Sequence, residues 1–195
     1  MAPGAGRKRA VFLDRDGTIN REVDVLRDVR QLRLLPGAGD AIRSLNRRGF
    51  LVIVITNQPV IARGWLSRDG VEEIHRVLSE RLLRRGARLD AFYYCPHHPH
   101  ADRIEYRTRC RCRKPGTGLI AKAARDFGID LSRSFLAGDS TRDILAGKRA
   151  GLTTLLLETG YGGKDGKYVV RPDYRARDLR AAVRIIISLN RRRRR

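Results

Sequence analysis

Five short apolar runs punctuate this chain, at residues 10–13, 50–55, 91–94, 134–137 and 153–157. Each lacks the polar alternation of a strand with one wet face, so each reads as a strand buried on both sides. Between them lie stretches of helical period. Ala38, Ile42 and Leu45 share the face of a helix closed by Arg47-Arg48-Gly49. Ser67 is placed to cap a longer helix carrying Val71, Ile74, Val77, Leu78, Leu82 and Leu83, which Gly86 ends. Further helices are expected over 119–127, after a cap at Ser140 or Thr141, and over 178–189, where Leu179, Val183, Ile186 and Ile187 face inward. This alternation predicts an α/β fold, a mostly parallel sheet covered by helices on both faces.

The segments without period fill in the organisation. Residues 20–36 are longer than an ordinary connection and read as a flap over the first strand's end, bearing Arg27, Arg30 and Arg33. Residues 158–171 are turn-rich and read as a loop with a brief strand at 168–170. Residues 1–9 form a basic leader expected to be flexible, 10–190 a single domain, and 191–195 a like-charge tail expected to be disordered.

Composition narrows the setting. A chain of 195 residues with 42% hydrophobic content suffices for one packed α/β domain. No apolar stretch suits a membrane span and no signal core follows Met1, so a cytoplasmic location is the expectation. The net charge of +21 would draw nucleic acid, acidic membranes or phosphorylated small molecules alike. All but six of the 42 basic residues are Arg, spread through helices as well as the tail, which favours a solvated surface over a nucleic-acid face. Three cysteines within one short stretch, without a signal peptide, argue for metal rather than disulfides.

Chemistry-bearing residues cluster where the strands end. The first strand delivers Asp14 and Asp16, followed by Gly17, where the chain bends; Asp14 could be a nucleophile or metal ligand and Asp16 a proton donor and acceptor. The second strand ends in Thr56-Asn57-Gln58, and the fourth in Gly138-Asp139. Asp14, Asp16 and Asp139 on neighbouring strand ends would repel one another without a cation, and magnesium is the natural occupant. With Lys114 and Thr56 facing the same centre, the set suits phosphoryl transfer. The third strand runs into Cys95-Pro96-His97, and Cys110-Arg111-Cys112 follows. Four soft ligands, Cys95, His97, Cys110 and Cys112, suit a closed structural zinc site, with His98 and His100 as substitutes for His97. Such a site would order the loop 95–112 and fix Arg113 and Lys114 just after it.

The motifs Asp14-Arg15-Asp16-Gly17-Thr18, Thr56-Asn57-Gln58, Lys114, and Gly138-Asp139 with Asp143 resemble those of the haloacid dehalogenase superfamily of phosphatases. Residues 95–99, 110–115 and 61–64 resemble, more narrowly, the heptose 1,7-bisphosphate 7-phosphatases, whose zinc loop is shared with histidinol-phosphate phosphatases. The resemblance implies a Rossmann-like sheet with a small flap and zinc loop in place of a large cap domain. It implies an aspartyl-phosphate on Asp14, proton transfer by Asp16, and phosphoryl contacts from Thr56 and Lys114. Magnesium would be held by Asp14, the Asp16 backbone carbonyl and Asp139, with Asp143 in support. Substrate would meet Glu22, Val23, Asp24, Val25, Asn57, Gln58, Pro59, Arg113 and Ser140. The chain departs from the pattern at Pro59-Val60 in place of Ser-Gly, at Ser140 in place of Lys, and in a flap without His-Gly-Tyr after Asn20. These departures bear on the sugar and its anomer, not on the reaction. The implied partner is a small phosphorylated sugar, with no specific nucleic acid, no membrane and a monomeric state. A histidinol-phosphate phosphatase is the nearest alternative, and a basic nucleic-acid-binding module the alternative of another class.

Overall fold

Six strands, all parallel, form one sheet in the order β3-β2-β1-β4-β5-β6, in a computed structural model that describes residues 8–192. The elements run β1 (Ala10–Leu13), α1 (Ala38–Asn46), β2 (Leu51–Asn57), α2 (Arg68–Leu83), β3 (Ala91–Cys95), α3 (Gly118–Phe127), β4 (Phe135–Gly138), α4 (Thr141–Arg149), β5 (Thr153–Leu157), β6 (Tyr174–Ala176) and α5 (Leu179–Arg192). The five expected strands are all present, within a residue or two of their ends.

The period-2 geometry of the strands divides the core into two layers. Val11 and Leu13 of β1, with Val52 and Val54 of β2, face a core filled by Ile42 and Leu45 of α1, Leu78 of α2, and Val183 and Ile186 of α5. Phe12, Ile53 and Ile55 face the other way, onto Leu119, Ile120 and Ala123 of α3 and Ala146 of α4. Both sheet faces are therefore dry, which is why the strands read as unbroken apolar runs. Ser67 caps α2, its side chain accepting from the Gly70 backbone N–H.

The strand order reverses between β1 and β4, so the chain leaves these neighbours in opposite directions and opens a crevice beyond their carboxyl ends. Leu13 pairs with Ala137, and the Asp14 backbone N–H donates to Ala137 O at 3.1 Å. Asp14 and Asp139 thus flank the crevice.

Four features differ from expectation. No strand forms at 168–170, where Val169 is fully exposed. The sixth strand lies at Tyr174–Ala176, because Asp173 accepts from both the N–H and the hydroxyl of Thr154 at 2.8 Å and so docks the following residues on β5. Helix α5 continues through Arg192, two residues into the expected tail; cations at a helix C-terminus are favourable against the helix dipole. Lys8 and Arg9, placed in the leader, are bonded: the Lys8 N–H donates to Gly128 O, its carbonyl accepts from Asp130 N, and the Arg9 guanidinium lies over Phe50. The remainder of the leader, 1–7, and of the tail, 193–195, lie outside the described residues.

The flap is irregular but anchored. Leu26 and Leu32 are buried in the core, and Asn20 forms isolated bridges with Asp16 on one side and Leu34 on the other.

Candidate active site

Lys114 is the hub of the crevice. Its ammonium is almost completely buried and lies 2.9 Å from Asp14 Oδ1, 2.6 Å from Asp143 Oδ1 and 2.8 Å from the Ile55 carbonyl. Asn57 at the end of β2 fastens this lysine, accepting from the Lys114 N–H at 2.9 Å and donating to its carbonyl at 3.1 Å. Burial alone would strip the lysine of its proton, but the two carboxylates outweigh it and hold the pKa above the ordinary value.

Asp14, Asp139 and Asp143 bring carboxylate oxygens within 4.8 Å of one another. One lysine does not offset three buried acids. Burial pushes Asp14 up to about 6 against the pull of Lys114. Burial, with Asp143 and Asp14 alongside, pushes Asp139 to about 8. Such a group of hard oxygens, with Asp14 and Asp139 disfavoured in their charged forms, matches what a divalent cation would neutralise. The group is held from outside. The Ser140 N–H and hydroxyl both donate to Asp143 Oδ2, at 3.0 and 2.7 Å, at the start of α4, and the Tyr161 N–H donates to Asp139 Oδ2 at 2.7 Å. Gly17 and Gly160 have positive φ and press their backbones on Asp139; any Cβ at either position would collide with that carboxylate.

Asp16 has a different environment, and its carboxylate is not one of the grouped oxygens. It accepts from Arg15 Nε and Nη2 at 3.1 and 2.7 Å, from Asn20 at 2.8 Å and from Gln58 at 3.2 Å. Burial would raise its pKa, but the Arg15 guanidinium and these donors outweigh it and hold Asp16 below the usual carboxylate range. Gln58 also donates to the Thr56 hydroxyl at 2.9 Å.

Behind Arg15 sits His75, its ring stacked on Phe92 and its Nε2 3.2 Å from Arg15 Nη1. Burial first, and then the arginine charge, pull the imidazole down to about 3, so it is neutral and accepts from the guanidinium. The folded pKa lies below the unfolded one, so this contribution is complete above about pH 6.5 and is lost as pH falls toward 3. The free energy of unfolding should decline below pH 6.5 by as much as ~1.4 kcal/mol per pH unit from this group. His75→Gln should remove that share of the slope in urea titrations across the window, and an unchanged slope would refute the assignment.

The carboxylates and Lys114 open into a cleft of about 180 Å³. Of the residues expected to meet substrate, Glu22, Asp24, Asn57, Pro59, Arg113 and Ser140 line it. Val23, Val25 and Gln58 do not: Val23 is exposed, Val25 packs on Val60 and Ile61, and Gln58 is buried beneath Asp16. Burial and the neighbouring Asp16 and Asp14 push Glu22 up to about 7. Two lining residues were not anticipated. Arg142, in the first turn of α4, lies over Tyr161 with its guanidinium carbon 6.0 Å from the ring centre. Tyr161 follows β5, the one of the five expected strands whose end carried no recognised chemistry, and only its position beyond a strand end could have pointed to it.

Beside the cleft, Cys95, His97, Cys110 and Cys112 converge. The sulfurs are 2.9–3.2 Å apart, and His97 Nδ1 lies 3.7 Å from Cys95 Sγ and 3.6 Å from Cys112 Sγ. This cluster could hold a metal ion. His98 and His100 are not in it; the His98 ring accepts from the His100 N–H. The loop is tied to the cleft through Arg113, whose Nη1 donates to the His97 carbonyl at 3.1 Å.

Comparison with known proteins agrees with this geometry. The Hydrolase_like family model, which describes HAD-hydrolase-like proteins, matches residues 111–182. A D-glycero-beta-D-manno-heptose-1,7-bisphosphate 7-phosphatase of Rhodopseudomonas palustris is 43% identical over 158 residues, 81% of this chain and 88% of that protein. The chain belongs to this family of HAD-like phosphatases. A D-glycero-D-manno-heptose-1,7-bisphosphate 7-phosphatase of Thermosynechococcus vestitus is 41% identical over 92% of this chain and 95% of its own length. The crystal structure of D,D-heptose 1,7-bisphosphate phosphatase from B. bronchiseptica, complexed with magnesium and phosphate, superposes with a TM-score of 0.82. It is 29% identical, covering 93% of this chain and 99% of that one. The fold is thus the Rossmann-like one of HAD phosphatases, and as a member of the family the chain is a phosphoric-ester hydrolase. No helix among the described residues is long and apolar enough to cross a membrane.

Proposed function

We propose that this enzyme removes the 7-phosphate of D-glycero-D-manno-heptose 1,7-bisphosphate through an aspartyl-phosphate on Asp14. The observation that carries the reading is the buried group Asp14, Lys114, Asp139 and Asp143 at the β1/β4 crevice, in a chain whose relatives bear that activity in their names. An Asp14 oxygen attacks phosphorus as the bond to the sugar oxygen breaks, and Asp16 supplies that oxygen's proton. Water then attacks the phosphorus, gives a proton to Asp16, and releases orthophosphate and free Asp14. Arg15 stabilises Asp16 as a carboxylate, which suits the second step; for the first, Asp16 takes up a proton at the expense of that stabilisation and passes it to the leaving sugar oxygen. Lys114 and Thr56 balance the phosphoryl oxygens. Magnesium, when bound by Asp14, Asp139 and the Asp16 backbone carbonyl with Asp143 behind, supplies charge neutralisation and alignment. Zinc, when bound by Cys95, His97, Cys110 and Cys112, would supply structure only, because four protein ligands would leave no position for substrate or water.

The phosphate that stays on the sugar needs its own cation. Arg113 and Arg142 line the same cleft, and the charge of Arg142 adds to burial in lowering the Arg113 pKa, as expected for neighbouring cations awaiting an anion. Arg142→Ala should raise KM for the bisphosphate by roughly 10-fold or more while leaving kcat within about 3-fold. An equal fall in kcat would place Arg142 in the chemistry instead.

The remaining assignments are part of the same reading: a single domain over 10–190, a monomer, a cytoplasmic setting that keeps the three thiols reduced for metal, and no specific nucleic-acid partner. The deciding experiment is parallel kinetics on the α and β anomers of the heptose bisphosphate, with histidinol phosphate as control. A higher kcat/KM on either anomer than on histidinol phosphate supports the proposal, and the reverse order overturns it.

A further inference from the structure

A second concavity, of about 760 Å³, lies between the flap and the C-terminal end of α2 and shares no lining residue with the catalytic cleft. Five guanidinium groups line it: Arg21 and Arg33 from the flap, and Arg81, Arg84 and Arg85 from the end of α2 and just beyond. No carboxylate does. Elsewhere on the surface some arginines pair locally, Arg30 with Asp28, Arg43 with Asp40, Arg76 with Glu73 and Arg103 with Glu105, all at 2.6–2.7 Å, while others such as Arg47, Arg125 and Arg133 stand apart from one another without an ion pair among the described residues. In the groove Arg84 comes no nearer than 4.0 Å to Glu80, and Arg21, Arg33, Arg81 and Arg85 make no ion pair among the described residues.

Two of these groups are held in place by backbone. Arg81 donates to the carbonyls of Leu32 and Val29, and Arg33 to those of Arg30 and Leu32. A guanidinium carries five N–H donors, so each retains capacity after two such bonds. Arg33 and Arg81, so fixed, converge with Arg21, Arg84 and Arg85, of which only Arg84 and Arg85 have a carboxylate in their surroundings among the described residues, Glu80 and Asp40; cations brought together in this way repel one another, a cost that a bound anion removes. Orthophosphate is far smaller than the groove. Single-stranded nucleic acid would call for aromatic platforms, and the groove's only apolar lining is Leu32 and Leu34.

We propose that this groove binds a small molecule bearing two or more phosphate groups, separately from the catalytic cleft. Its occupant would span flap and helix: the Arg21 N–H donates to Arg33 O, and Asn20 links the Arg21 carbonyl to Asp16, so the clamped segment is the one that carries Glu22 into the cleft.

The probe is inorganic tripolyphosphate, titrated calorimetrically into the full-length protein and two charge-matched double variants. Arg84→Glu with Arg85→Glu alters the groove; Arg125→Glu with Arg184→Glu alters exposed sites on α3 and α5 by the same charge. The groove variant should bind at least about 10-fold more weakly than wild type, and the control within about 2-fold. Hydrogen exchange should show tripolyphosphate protecting residues 21–34 and 81–86. Neither pair lines the cleft, so unchanged phosphatase rates report an intact fold and keep this test independent of the catalytic assignment. Equal losses in both variants, no binding by wild type, or protection confined to the cleft would overturn the proposal. So would tighter binding of a single-stranded oligonucleotide through the same arginines.

Discussion

Asp14→Asn is expected to reduce phosphate release at least about 1,000-fold while leaving the fold in place, because an amide oxygen is a poor nucleophile toward phosphorus. The structural cost should be small. Lys114 keeps Asp143 at 2.6 Å and the Ile55 carbonyl at 2.8 Å, so the ammonium remains compensated. Asp14 itself is raised to about 6, which makes its charged form a burden on the folded protein at neutral pH. Replacing that charge with a neutral group of the same shape should therefore leave the thermal midpoint unchanged or slightly higher. Loss of turnover with stability retained is a combination that misfolding cannot mimic. Residual activity above about 1% of wild type would remove Asp14 from the nucleophile's role.

How this centre could be read before its geometry was known depends on where each constraint resides. Asp14 and Asp139 were legible because a buried parallel strand must end somewhere polar, and an open sheet gathers its strand ends on one side. That their strands are neighbours was expected from the shared chemistry of the strand ends rather than from any local pattern, since strand order is set by tertiary packing, and the β1/β4 pairing agrees with it. Arg15 shows a second limit. On a regular strand it would point away from Asp14 and Asp16, yet the bend at Gly17, with φ 73°, lets its guanidinium fold back onto Asp16 and, 60 residues along the chain, onto His75. His75 looked like any polar residue on a helix. Only β3, packing Phe92 and Tyr94 around it, makes it a buried neutral base. Strand β6 was missed for a similar reason: Tyr174 and Arg175 are exposed and the segment is three residues long, so its pairing rests on the Asp173 to Thr154 bonds rather than on hydrophobicity.

The cysteine loop was the most legible feature, and it carries the second large expectation. Between Cys95 and Cys112 the chain has a single 3-10 turn, Ile104 at its start is 79% exposed, and backbone bonds such as His98 N–H to Tyr106 O are few. Little apolar burial is available there to offset the entropy of ordering the loop, so metal coordination is expected to supply it. Protein purified without chelator should contain about one zinc per chain by elemental analysis. Cys112→Ser should lose that zinc and, in hydrogen exchange, protection across residues 96–113. The sheet should stay protected, because the core layer against α1, α2 and α5 does not involve the loop, and on the opposite layer the loop adds only Cys95, Cys110 and Cys112 at the edge of a core built by β1, β2, β4 and α3. Activity should nonetheless fall by roughly 100-fold or more, since Arg113 is bonded to the His97 carbonyl and Lys114 follows directly, its backbone fastened by Asn57 and its ammonium by Asp14, Asp143 and the Ile55 carbonyl. Full activity in a zinc-free protein, or a loop that keeps its protection without metal, would refute the structural role and leave Lys114 positioned by Asn57, Asp14, Asp143 and the Ile55 carbonyl alone.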